Sequence, residues 1–70
     1  MAAQLKINGQ EKAFNDGLPS TLAALLESLK IDAATVVAEI DGQIIERKDF
    51  AQTGLADGQS IELIRFVGGG

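Results

Sequence analysis

The chain ends Val67-Gly68-Gly69-Gly70, directly after a strand-like run from Ser60 to Phe66. A glycine run is a poor way to finish a strand for stability, because glycine loses the most conformational freedom on ordering. It is well suited to another task. Without side chains it fits a narrow channel in a partner, which can then reach the carboxylate of Gly70. Fully extended, four residues reach roughly 13 Å at about 3.3 Å each. A carboxylate at the end of such an arm is a weak electrophile, since its charge repels nucleophiles and its oxygen leaves poorly.

No other residue set offers comparable chemistry. The chain has no Cys, His, Trp or Tyr. It therefore lacks the ligands of a typical zinc, iron–sulfur or haem site and the commonest general base. No disulfide framework or thiolate chemistry is available to it. Asp16, Asp41 and Asp57 each precede a glycine and read as turn residues, not catalytic acids. Ten acidic residues against six basic ones give a net charge of −4, and apart from Arg47-Lys48 the basic residues are scattered. That argues against a nucleic-acid partner, which needs a clustered basic face. No apolar run approaches membrane-spanning length, so no membrane partner is expected. The start, Met1-Ala-Ala-Gln-Leu-Lys6, has neither the basic nor the apolar region of a signal peptide. A cytoplasmic location is the expectation, and a stand-alone enzyme is not.

Seventy residues, 46% of them hydrophobic, make one small domain. Such a domain buries roughly 60% of its unfolded surface and is marginally stable. Residues 1–66 are expected to form it, with 67–70 as a flexible tail. Leu5 to Gly9 alternates apolar with polar and meets Asn8-Gly9, a strong hairpin signal because both turn positions need positive φ. Gln10 to Phe14 supplies the return strand, and Asn15 to Pro19 reads as a loop. Ser20 or Thr21 caps a helix on which Leu22, Leu25, Leu26 and Leu29 form one stripe. Lys30 is expected in its last turn, where the helix dipole favours a cation. Ile31 to Thr35 connects to a third strand, Val36–Ile40. Asp41-Gly42 then turns the chain into a short fourth strand at Ile44-Ile45. Arg47 to Leu55 reads as a loop with one helical turn, anchored by Phe50 and Leu55. Asp57-Gly58 precedes the last strand.

The order β-β-α-β-β-β points to an α+β domain of two layers, a mixed sheet of four to five strands with one main helix on one face. The period of two along the last strand aims Ile61 and Leu63 inward. Glu62, Ile64 and Phe66 then share the outer face, which Val37 extends. Large apolar groups exposed beside the tail are a candidate docking surface, and Val67 continues it toward the glycines. A bulge or an edge contact that buries them is the competing reading. Arg47 and Arg65 are either contacts to an acidic partner or solvated charges in weak surface pairs, worth under about 1 kcal/mol.

In several stretches the chain resembles the ThiS family, small ubiquitin-like sulfur carriers of thiazole (thiamine) synthesis with a β-grasp fold. These are Leu5-Lys-Ile-Asn-Gly9, Thr21-Leu22 with Leu25-Leu26, Asp41-Gly-Gln-Ile-Ile-Glu-Arg47 with Phe50, and Asp57-Gly58 with Ile61 to Gly70. Two departures lie away from the tail: Gln59 stands where members often carry Asp, and Met1-Ala-Ala-Gln lengthens the start. The resemblance implies a ThiF-type adenylating enzyme acting on Gly70, with ATP used by that enzyme and no cofactor bound here. It further implies a cysteine-derived sulfur that replaces AMP to leave a thiocarboxylate, and a thiazole synthase, ThiG, as recipient. Gly68 and Gly69 would thread the partner's channel. Other readings are the small subunit of molybdopterin synthase, a tail for conjugation to lysines or for tRNA thiolation, and an interaction module with inert glycines.

Overall fold

The computed structural model describes residues 3–66. The expectations placed on Val67, Gly68, Gly69 and Gly70 lie outside them. Five strands, β1 (Ala3–Ile7), β2 (Gln10–Phe14), β3 (Val36–Ile40), β4 (Gln43–Ile45) and β5 (Ser60–Arg65), form one sheet in the order β2-β1-β5-β3-β4. The last strand lies at the centre, parallel to β1 and antiparallel to β3. One helix, α1 (Leu22–Ser28), packs on one face, as expected for an α+β β-grasp. Two 3-10 turns complete the connections, Ala33–Thr35 before β3 and Arg47–Gln52 after β4.

Both hairpin turns form as their sequences require. Asn8 and Gly9 have φ of 51° and 83°, and Asp41 and Gly42 have 51° and 85°. These are the left-handed values that only Gly, Asn and Asp adopt at small cost. Asp57-Gly58 turns into β5, with Gly58 donating its N–H to the Gln4 carbonyl at 2.8 Å. Gln59, one of the departures noted above, accepts the Ala56 N–H at 2.8 Å through its side-chain oxygen, so it stabilises that turn from within.

Thr21, not Ser20, caps α1: its hydroxyl accepts the Ala24 N–H at 3.1 Å. The first helical amide, Leu22 N–H, goes to the Thr53 carbonyl and ties the helix start to the second 3-10 turn. Leu22, Leu25 and Leu26 are completely buried against Leu5, Val36, Ala38, Ile40, Ile61 and Leu63 of the sheet, with Phe50 closing one end of the core. Leu29 is half-buried at the helix C-cap and packs on the same cluster.

The placement of Lys30 in the last turn is corrected by the structure. Lys30 lies one residue beyond the C-cap with φ 59°. Its N–H reaches the Glu27 carbonyl at 3.0 Å, and Ile31 N–H reaches Leu26 at 2.9 Å. This is the Schellman arrangement, in which the left-handed residue is usually glycine. Tertiary packing of Ile31 on the core fixes the helix end, and lysine accepts the strained conformation. Lys30→Gly is therefore expected to stabilise the domain by about 0.5–1 kcal/mol, raising Tm by about 2–8 °C. Thermal unfolding followed by circular dichroism reads this directly, and a lowered Tm would contradict it.

Candidate functional site: the root of the tail and the outer face of the sheet

Strand β5 leads to Phe66, the last of the described residues, and its hydrogen bonds fix that end of the sheet. On one side it pairs with β3 from Ile40↔Ile61 to Val36↔Arg65, and Phe66 N–H adds a bond to the Thr35 carbonyl at 3.0 Å. Thr35 is itself held in the first 3-10 turn. Asp32 Oδ1 accepts the Ala34 N–H at 2.9 Å, and Thr35 Oγ1 donates to the Asp32 carbonyl at 2.7 Å. On the other side β5 pairs with β1 at Lys6↔Ser60 and Ile7↔Ile61.

Three turn residues fasten β5 by their side chains as well. Asn8 Oδ1 accepts the Leu63 N–H at 2.7 Å, and Asp41 Oδ1 accepts the Ser60 N–H at 2.9 Å. Asp57 Oδ1 accepts the Gln4 N–H at 2.7 Å and so locks the entry of β5 to β1. Asp41 and Asp57 are turn residues as read from the sequence, and each also fastens a ladder end. Among the described residues no group of three or more His, Cys, Asp or Glu side chains could hold a metal ion. An open depression between β4 and the second 3-10 turn is lined by Gln43, Ile44, Ile45, Glu46, Asp49, Gln52 and Thr53, and the Thr53 hydroxyl there donates to the Asp49 carbonyl at 2.7 Å.

The outer face is apolar around the end of β5. Ile64 is 51% exposed, Phe66 47% and Val37 38%, whereas Ile61 and Leu63 are buried beneath them. Val37 and Ile64 are direct cross-strand partners. The alternation expected from the sequence thus holds in β5, and no bulge or edge contact buries the patch. Sequence reasoning missed Ile44, the most exposed large apolar side chain among the described residues at 66%. It pairs with Glu39 and lies diagonal to Val37 on the same face. The signal was present, because an apolar pair in a short strand must send one residue to each face.

Glu39 and Glu62 are partners in the adjacent row. Like charges directly opposite each other cost a few tenths of a kcal/mol, up to about 1. Arg65 is exposed at the end of β5, and among the described residues neither it nor Arg47 is in an ion pair. The one ion pair among the described residues joins Lys48 and Glu46 at 3.4 Å, both strongly exposed. The structure therefore gathers Val37, Ile64 and Phe66, adds Ile44, and leaves Arg47 on a different element.

Comparison with known proteins places this geometry in context. The ThiS family matches residues 1–70. A thiazole synthase of Paramagnetospirillum magneticum is 36% identical over 67 residues, which cover 96% of this chain and 20% of that protein. The sulfur carrier protein ThiS of Bacillus subtilis is 30% identical over 66 residues, 94% of this chain and 98% of that protein. The chain thus spans a fifth of the first relative and nearly all of the second. Among solved structures, the crystal structure of a thiamine biosynthesis protein (ThiS) from Geobacter metallireducens superposes with a TM-score of 0.80 at 35% identity, covering 96% of this chain and 99% of that one.

Proposed function

This chain belongs to the ThiS family, and from that premise we propose that it is a sulfur carrier of thiamine biosynthesis, with Gly70 as the atom-bearing end. The observation that carries the reading is the family match along the whole chain, glycine run included, with that run following the central strand. In this role the protein is a substrate of other enzymes. A ThiF-type enzyme binds it on the outer face and uses ATP. The Gly70 carboxylate attacks the α-phosphate, pyrophosphate leaves, and an acyl adenylate results. The persulfide sulfur that a desulfurase makes from cysteine then attacks the acyl carbon and AMP leaves. A thiol cleaves the S–S bond of the resulting acyl disulfide, is itself oxidised to a disulfide, and leaves a thiocarboxylate on Gly70.

The charged carrier delivers its sulfur to a thiazole synthase of the ThiG type. Support for that recipient comes from the Paramagnetospirillum protein, in which a segment similar to this chain is part of a polypeptide named thiazole synthase. Gly68 and Gly69 thread the enzyme channel, where a Cβ would crowd a passage shaped for backbone. Val37, Ile64 and Phe66 form the docking patch together with Val67. The absence of any cysteine in the chain suits this chemistry, since an internal thiol could attack the activated end.

The deciding experiment is intact mass spectrometry after incubation with ATP, a ThiF-type enzyme, a cysteine desulfurase, cysteine and a thiol reductant. The expected result is a mass gain matching sulfur for oxygen, localised to Gly70. An unchanged mass, with the same enzymes active on a control carrier, refutes the reading. Docking has its own test. Ile64→Asp should weaken binding to the ThiF-type enzyme about tenfold to a hundredfold, while Tm moves by only a few degrees because the side chain is half exposed. Phe66→Asp should behave alike, and wild-type affinity in both variants removes the patch from the account.

A further inference from the structure

Strand β5 is flanked by β1 over only its first two residues, Ser60 and Ile61, whereas β3 flanks it as far as Arg65. Its ladder with β1 ends at Ile7↔Ile61, where β1 turns away at Asn8-Gly9. Its ladder with β3 runs on to Val36↔Arg65 and the Phe66–Thr35 bond. The backbone groups of β5 alternate accordingly. Ser60 and Phe66 bond toward β3, through Asp41 N–H to the Ser60 carbonyl and Phe66 N–H to Thr35. Gln59 and Ile61 bond toward β1, accepting from Lys6 N–H and Asn8 N–H, each at 2.9 Å.

Leu63 N–H points the same way, and the Asn8 side chain stands in for the missing strand. Arg65 comes next in this series. By the same alternation its N–H and carbonyl, with the carbonyl of Leu63, face a side where no strand of the described residues lies. Arg65 is exposed, and Ile64 and Phe66 beside it are the apolar groups of the outer face.

We propose that this half-open edge, Leu63 to Arg65, is a strand-pairing site for an extended segment of the adenylating enzyme. That segment takes the place β1 vacates. The occupant follows from what is offered: a backbone donor flanked by backbone acceptors at strand spacing is matched by another polypeptide backbone. The Asn8 amide ends the free edge on one side, so the added segment has a defined starting point. The edge leads directly into residues 67–70, and pairing along it would orient the reactive end before it enters the channel. Such recognition reads the backbone and is independent of the Arg65 side chain.

This inference rests on the reading of the chain as a substrate of an adenylating enzyme. The experiment compares Arg65→Pro with Arg65→Ala for binding to a purified ThiF-type enzyme. Proline removes the N–H, which has no partner in the free protein, and its φ suits a strand edge. Alanine removes only the side chain. The expected result is near wild-type affinity for Arg65→Ala and about a tenfold loss for Arg65→Pro, because an acceptor on the enzyme is left unsatisfied, with both variants folded by circular dichroism. Equal affinities overturn the proposal.

Hydrogen exchange on the wild-type chain gives the same answer without relying on proline. Saturation with the enzyme should slow exchange of the Arg65 amide about tenfold or more, and an unchanged rate overturns the proposal. If Ile64→Asp abolishes binding while the Pro and Ala variants bind alike, the edge reading fails and the docking reading stands. If the wild-type chain does not bind the enzyme at all, both fail.

Discussion

Deletion of Gly70 is expected to abolish adenylation while leaving the domain folded. The deletion moves the terminal carboxylate back by one residue, about 3.3 Å along an extended backbone. A misplacement of about 1 Å in a reacting group can cost a hundredfold in rate, so at least that loss is expected here. Fusing any residue after Gly70 has the same outcome by a different route, since the carboxylate becomes a peptide. Neither change touches the hydrogen bonds among the described residues, the last of which joins Phe66 to Thr35. Pyrophosphate release in the presence of ATP and a ThiF-type enzyme measures the effect, and thermal unfolding shows whether the domain is intact. Turnover of the deletion variant within a few fold of wild type would mean that the chemistry does not depend on the position of this carboxylate.

The largest expected effect on stability comes from Leu25→Ala. Leu25 is completely buried at the middle of the leucine stripe, packed among Leu5, Ile61, Leu63 and Phe50 in the core cluster. Truncation there removes the burial energy of the lost atoms and leaves a cavity that the sheet cannot collapse to fill, at a cost of about 2–5 kcal/mol. A domain of this length has a total stability of roughly 4–10 kcal/mol. The variant should therefore lose between a fifth and all of it, visible as a large drop in the urea midpoint. A loss below about 1 kcal/mol would show that α1 is not the main cover of the sheet. The same helix supplies no residue to the outer face. Sulfur transfer by the fraction that remains folded should thus proceed at the wild-type rate, which separates stability from function.

Much of this fold can be read from local chemistry. Asn8-Gly9 and Asp41-Gly42 announce their hairpins because positive φ at both turn positions admits so few residues. The spacing of Leu22, Leu25 and Leu26 announces a helix with one buried side. The outer positions of Ile64 and Phe66 follow from those of Ile61 and Leu63 by alternation alone. What was not legible depends on partners distant in the chain. Asn8 reads as a turn residue, but its side chain completes a bond to Leu63, 55 residues away. The parallel pairing of β5 with β1 was permitted by the pattern and could be established only by the assembled sheet. Lys30 misled for a related reason. A helix end without Gly or Asn looks like a continuing turn, until the packing of Ile31 shows that the chain leaves through a left-handed residue. Ile44 was missed because two adjacent apolar residues must face opposite ways, and the short strand does not show which of them faces out.

The central position of β5 has a consequence for how the domain comes apart. Without Ser60–Arg65 the chain contains two separate hairpins, β1–β2 and β3–β4, with no ladder between them. A two-stranded hairpin is at best marginally stable in water, so neither half is a refuge for partial structure. Opening the strand that roots the tail therefore amounts to melting the whole domain, and unfolding should be all-or-none. A protein passed among several enzymes would then meet each of them either complete or not at all, with no half-open form in which a misaligned tail is presented for reaction.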